Sequence, residues 1–166
     1  MPSPTALPPA AALLALLALP VHNAPAQDAP THPVPIVMLP DQLKWTGGHD
    51  SAQGATVFGD PRKAGPFIFF VNWISNSVSK PHYHTKTRTL VVLKGHWDFG
   101  SGPHYDLNAM KVIPEGGVVI VPAGSILYDG CKQPPCMLEI VGDGGDTEFM
   151  VDENGETLPS RDPPAR

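Results

Sequence analysis

From Ala55 onward the apolar residues fall into short runs, each closed by Gly, Pro, Asn or Asp. Ala55 to Phe58 stops at Gly59-Asp60-Pro61, and Pro66 to Trp73 contains the β-rich run Phe67-Ile68-Phe69-Phe70-Val71. Lys80 to His84, Thr89 to Leu93, His96 to Phe99, Ala109 to Ile113, Val118 to Val121, Ile126 to Tyr128, Met137 to Val141 and Thr147 to Val151 follow. Between them stand turn signals such as Lys94-Gly95, Pro114-Glu115-Gly116-Gly117 and Pro122-Ala123-Gly124. Runs of this length, rich in β-branched and aromatic residues, predict strands. Many short strands separated by turns predict an all-β antiparallel sandwich or jelly-roll barrel. No segment carries sustained helical periodicity, and no solenoid period is visible.

The two ends of the chain break this pattern. Residues 1–26 hold no Asp, Glu, Lys or Arg, and Ala10 to Leu19 is continuously apolar. That run is shorter than the roughly 20 residues a membrane-spanning helix needs. Ala24-Pro25-Ala26 places small residues where a signal peptidase cuts, so residues 1–26 read as a signal peptide. The usual basic start is missing; an uncleaved apolar anchor or a start codon assigned too far upstream are the competing readings. With the leader removed, no membrane span is expected and the destination is periplasmic or secreted. Residues 27–42, with Pro30, Pro33, Pro35 and Pro40, read as an extended linker. Residues 43–151 read as one folded domain, and residues 152–166 as a flexible polar tail.

Composition narrows the functional classes. The chain of 166 residues carries 16 Gly and 21 Pro, and 11 Lys and Arg against 16 Asp and Glu, a net charge of −5. Such a balance offers no basic footprint for nucleic acid. Cys131 and Cys136 are separated by Lys132-Gln133-Pro134-Pro135. In an exported chain this pair is expected to form a disulfide, closing a small loop worth about 2 kcal/mol. No Gly-x-Ser-x-Gly elbow, P-loop or dinucleotide fingerprint is present.

The chemically informative triplet is His82-Tyr83-His84. Residues i and i+2 of a strand share a face, so the two imidazoles converge. Neutral imidazole is the commonest ligand of divalent transition metals. With Asn76 before them, and Arg88 and Gly95 after them, the histidines sit at the intervals of the first motif of the cupin superfamily, which the chain resembles. Gly116, Pro122 and Gly124 sit at intervals of the second cupin motif, with Leu127 and Cys131 where the family has His and Asn. The resemblance extends over about Leu43 to Val151. It implies an all-β, double-stranded β-helix (jelly-roll barrel), a pocket around His82 and His84, and a homodimer formed through edge strands. Asn76 stands in for a left-handed turn glycine.

The family's metal site uses further Glu and His ligands, and here Arg88 and Leu127 replace them. Arginine cannot ligate a metal. Two readings follow. In the first, a partly degenerate pocket binds a small polar or anionic molecule, with Arg88 gripping a carboxylate or phosphate and Tyr83 and Tyr128 as walls. Trp73 is a further candidate wall, and Trp97 and Phe99 are expected in the core. In the second, a metal-dependent enzyme of dioxygenase or isomerase type holds Fe, Mn, Ni or Zn through His82 and His84, helped by His104 or Glu139. A ligand-free structural or partner-binding barrel is the remaining alternative.

Overall fold

The computed structural model describes residues 32–47 and 52–159. The expected signal peptide, part of the linker and the last residues of the tail therefore lie outside the described residues. In chain order the strands are β1 (Thr46–Gly47), β2 (Ala52–Phe58), β3 (Gly65–Trp73), β4 (Ser77–Val78), β5 (His82–His84) and β6 (Arg88–Lys94). They continue with β7 (His96–Ser101), β8 (Lys111–Pro114), β9 (Val118–Val121), β10 (Leu127–Cys131), β11 (Cys136–Gly144) and β12 (Glu148–Met150). A single 3-10 turn, Pro40–Gln42, falls in the segment read as linker. Among the described residues no helix is long and apolar enough to cross a membrane.

The strands form two antiparallel sheets. One has the order β1-β2-β3-β11-β6-β9 and the other β12-β5-β10-β7-β8, with β4 also on β10. Strands adjacent in the sheets are mostly distant in sequence, as in a jelly roll. Side-chain alternation decides what each sheet buries. Phe67, Leu90, Val92, Trp97, Val121, Leu127, Leu138 and Ile140 form the core, with Phe69, Val71, Trp73, Phe99, Ile113 and Val119 packed on it. Full burial of one such side chain stabilises by about 1.5–3 kcal/mol.

The turns obey the glycine logic of the sequence at two positions that matter for the site. Gly95 has φ of 77°, and a Cβ there would meet the Pro135 carbonyl oxygen at 2.5 Å. Gly124 has φ of 78°, and its N–H donates to the His84 carbonyl at 2.8 Å, tying the second motif to β5. Asn76 behaves differently from expectation: among the described residues only glycines have positive φ. It therefore does not replace a left-handed glycine; the turn before β5 is made without one.

The cysteines also depart from expectation. Cys131 and Cys136 are both fully buried, and both are free thiols. Cys131 Sγ donates to the His96 carbonyl at 3.8 Å, and burial first, then the neighbouring Cys131, pushes the Cys136 thiol up. A raised pKa keeps a thiol protonated and unreactive.

Candidate functional site

β5 carries His82 and His84 inward and Tyr83 between them outward. Both imidazoles are 5% exposed, and their ring centroids are 5.2 Å apart in an edge-on arrangement. β5 is held on one side by β10, with Leu127 opposite His82. On the other side β12 places Met150 opposite His82 and Glu148 opposite His84. Cross-strand partners share a face. Glu148 is therefore brought to the histidines by register, and one donor atom from each of His82, His84 and Glu148 lies within 4.8 Å of the others.

His82 is oriented for this role. Its Nδ1 lies 2.7 Å from the Lys80 carbonyl, which can only accept, so Nδ1 carries the proton and Nε2 keeps its lone pair. A backbone carbonyl on the second ring nitrogen is the usual support of a metal-binding histidine. In His84, Nε2 accepts from the Arg88 guanidinium at 3.0 Å, because arginine can only donate. Its proton therefore sits on Nδ1. That atom is 3.2 Å from Asp146 Oδ2, but the N–H is not aligned on the carboxylate and makes no hydrogen bond. Distance and alignment disagree, and alignment decides whether the proton is satisfied.

Asp146 is the hub beneath the pair. One oxygen accepts from Thr85 Oγ1 at 2.8 Å and from the Lys86 N–H at 3.0 Å. The other accepts from Arg88 Nε at 2.8 Å and lies 2.6 Å from a terminal Arg88 nitrogen. The Asp146 side chain is 1% exposed and that of Arg88 19%. The guanidinium is thus paired with a carboxylate within the fold.

The titrations follow. His84 is lowered to about 4 by burial first, then by the positive Arg88 and by His82, with Asp146 opposing. It is neutral at physiological pH, which is the form that ligates metals. Burial works to raise Asp146, but hydrogen bonding from Thr85 and the charges of Arg88 and His84 outweigh it and hold the carboxyl below its usual value. Asp129 is raised by burial, against the pull of His82 and of hydrogen bonds from Ser79 and Trp97. Ser79 Oγ donates to one Asp129 oxygen at 3.0 Å and Trp97 Nε1 to the other at 3.1 Å.

His82, His84, Ser79 and Glu148 line a cavity of about 360 Å³. Its walls are mostly apolar, from Phe67, Phe69, Val71, Trp73, Leu90 and Ile140, with Arg88, Leu127 and Asp129 also lining it. A few convergent polar groups in an apolar cavity is the usual composition of a small-molecule site.

The other residues singled out by sequence lie elsewhere. Tyr83 faces away from the cavity, stacks on Phe149 at 5.3 Å and reaches Thr157 Oγ1 at 3.1 Å. Tyr128 alternates away from Leu127 and Asp129; its hydroxyl donates to the Asp106 carbonyl at 3.0 Å, and its ring meets Tyr105 edge-on. His104 sits in the loop after β7, outside the cavity lining. Glu139 faces outward, because Leu138 and Ile140 beside it are the inward positions of β11. Trp73 does line the cavity, while Trp97 and Phe99 pack in and against the core. Glu148, Asp146 and Asp129 went unnoticed in sequence. Glu148 is legible only as an alternating position of the last predicted strand, and Asp146 lies in a Gly-rich turn where acidic residues are ordinary.

Solved structures with this architecture include an RmlC-like cupin protein from Ralstonia eutropha, at a TM-score of 0.55 and 15% identity, covering 74% of this chain and 76% of that one. The chain has the cupin fold. KdgF from Halomonas sp. matches this chain at a TM-score of 0.55 and 13% identity, over 66% of this chain and 94% of the other. The polyketide cyclase RemF from Streptomyces resistomycificus matches at a TM-score of 0.55 and 14% identity, over 76% of this chain and 83% of RemF. At these identities the likeness speaks for fold and not for reaction. No protein-family model and no curated protein matches the sequence.

Proposed function

We propose that this cupin binds a divalent metal ion through His82, His84 and Glu148 and holds a small, largely apolar molecule with a polar end against it. The observation that carries the reading is the convergence of those three donors. The donor set fits. Two neutral imidazoles and a carboxylate suit Zn, Fe, Mn or Ni. Ligands about 2 Å from an ion stand roughly 3–3.5 Å apart, and His84 Nε2 is 3.8 Å from Glu148 Oε2. Rotation of the half-exposed Glu148 side chain closes that gap. The Arg88 N–H on His84 Nε2 is the group an ion displaces, so affinity is expected below that of a site without it. When bound, the ion supplies Lewis acidity toward an oxygen of the ligand. The residues themselves contribute His82 held by Lys80, His84 held neutral, and apolar walls that exclude water.

The alternative of an anion gripped by Arg88 has less support. The guanidinium already faces Asp146 and His84, and Glu148 lies beside the same histidine. A negative ligand would meet a carboxylate-rich rim rather than an unpaired cation.

Export to the periplasm or beyond, by cleavage of residues 1–26, belongs to the same proposal, supported by the charge-free apolar start of the chain. The deciding experiment is elemental analysis of protein purified without chelators and then incubated with Fe, Mn, Ni or Zn. Near-stoichiometric metal, lost in His82→Ala/His84→Ala, is expected. Absence of bound metal after every incubation would sink the reading.

A further inference from the structure

Buried carboxylates in this fold are matched with cations, with one exception. Asp146 is paired with Arg88. Asp98 is paired with Lys132, whose Nζ lies 3.3 Å from Oδ1 and whose backbone N–H donates to Oδ2 at 2.8 Å. Asp129 is 8% exposed, and among the described residues no Lys or Arg forms an ion pair with it. Taking an unpaired carboxylate out of water is costly, so buried charges are normally paired. The two side chains that do reach Asp129 are neutral: Ser79 Oγ donates to one oxygen at 3.0 Å and Trp97 Nε1 to the other at 3.1 Å. A carboxylate accepts about four hydrogen bonds, so these two donors leave capacity on both oxygens. Asp129 shares the inward face of β10 with Leu127, and both line the cavity. Leu127 is opposite His82, which places Asp129 on the diagonal from that histidine.

We propose that the small molecule taken by this cavity is an organic amine, bound as its ammonium on Asp129 with its apolar body against Phe67, Phe69 and Trp73. The inference rests on the reading of the cavity as a small-molecule site and adds a second anchor to it. Three observations select the amine. Burial disfavours the charged form of Asp129, and an ammonium supplies the counter-charge that the wall lacks. A neutral hydroxyl would use the free lone pairs but leave that charge uncompensated, and an anion would meet both Asp129 and Glu148. The cation that also lines the cavity, Arg88, is turned to Asp146 and His84 and does not compete for Asp129. The three aromatic walls suit the same group, because an ammonium is attracted to the faces of aromatic rings. A cavity of about 360 Å³ is at the lower end for small-molecule sites, which limits the body to a single ring or a short chain.

The test is titration calorimetry of the full chain at neutral pH with two probes, benzylamine and butylamine, each beside its neutral counterpart, benzyl alcohol and butanol. At least one amine is expected to bind with a dissociation constant of about 1 mM or tighter. It should bind about tenfold or more tightly than its alcohol, the scale of a charge-assisted hydrogen bond. Asp129→Asn should bring amine and alcohol within about twofold of each other. An amide at this position can still accept from Trp97 and donate to Ser79, and near-ultraviolet circular dichroism checks that the variant keeps its fold. The preference should survive chelator treatment, because no ion takes part in it. A protein that binds no metal would thus sink the metal reading and leave this one standing. The proposal is overturned if neither amine saturates by about 10 mM, or if amine and alcohol bind the parent equally. It is overturned too if Asp129→Asn keeps the preference, or if Glu148→Gln removes it where Asp129→Asn does not, which would seat the cation at the rim.

Discussion

The two ends of the barrel interior are made of opposite materials. At one end Trp97, Leu138, Val92, Cys131 and Cys136 are essentially sealed from solvent, and Trp97 Nε1 donates to Asp129. At the other end the same strands carry His82, His84 and Arg88 into the cavity, with Glu148 at its rim and Asp146 behind them. Strand order and alternation are common to both. The packed end is stabilised by burial and shape. The open end holds titratable groups whose mutual charges restrain them and leave His84 Nδ1 without an aligned acceptor. Such incompletely satisfied polar groups are tolerated where a ligand is to be met.

The contrast can be broken most severely at the packed end. Trp97→Ala is expected to cost about 3–5 kcal/mol by chemical denaturation, since it empties a fully buried indole site and removes a donor from Asp129. At the open end the largest loss should follow Asp146→Asn. It leaves Arg88 and His84 without their counter-charge and is expected to cost about 2–4 kcal/mol, the scale of a broken buried pair. Loss below 1 kcal/mol would mean that Asp146 is not the hub of the cluster.

Acidification sharpens the comparison. His84 has its pKa depressed in the folded state to about 4 from 6.5. Between those values the unfolded chain takes up a proton that the folded chain refuses. Stability of metal-free protein should therefore fall from about pH 6.5 to about pH 4, by on the order of 2–3 kcal/mol. Asp129, whose folded pKa is raised, works in the opposite sense as pH approaches its ordinary carboxyl range. His84→Gln should flatten the decline in urea titrations at stepped pH. The smallest stability effect belongs to Glu148→Gln. Its side chain is 55% exposed, so the change should stay within about 0.5 kcal/mol while lowering metal retention by about tenfold or more in dialysis against a weak chelator.

Some of this was legible before any coordinates. Alternating apolar runs, the His82-x-His84 spacing and the Gly95, Gly116 and Gly124 turns are local properties, and short-range sterics translate them directly into strands, a shared face and chain reversals. They were enough for the jelly roll and for two inward imidazoles. Arg88 was singled out only by its place in the first motif, and its surroundings were not available from sequence, because its partner Asp146 is distant along the chain. Tyr83, Tyr128 and Glu139 show the limit from the other side: each lies next to inward residues, and one position along a strand reverses the face.

What the sequence by itself determined is therefore the period: which residues extend, where the chain turns, and that His82 and His84 point the same way. What only the tertiary structure decided is the pairing: Glu148 opposite His84, Leu127 opposite His82, and Asp146 under Arg88. The physical reason is that side-chain direction follows from neighbouring backbone geometry, whereas register between strands far apart in sequence is set by the packing of the whole core.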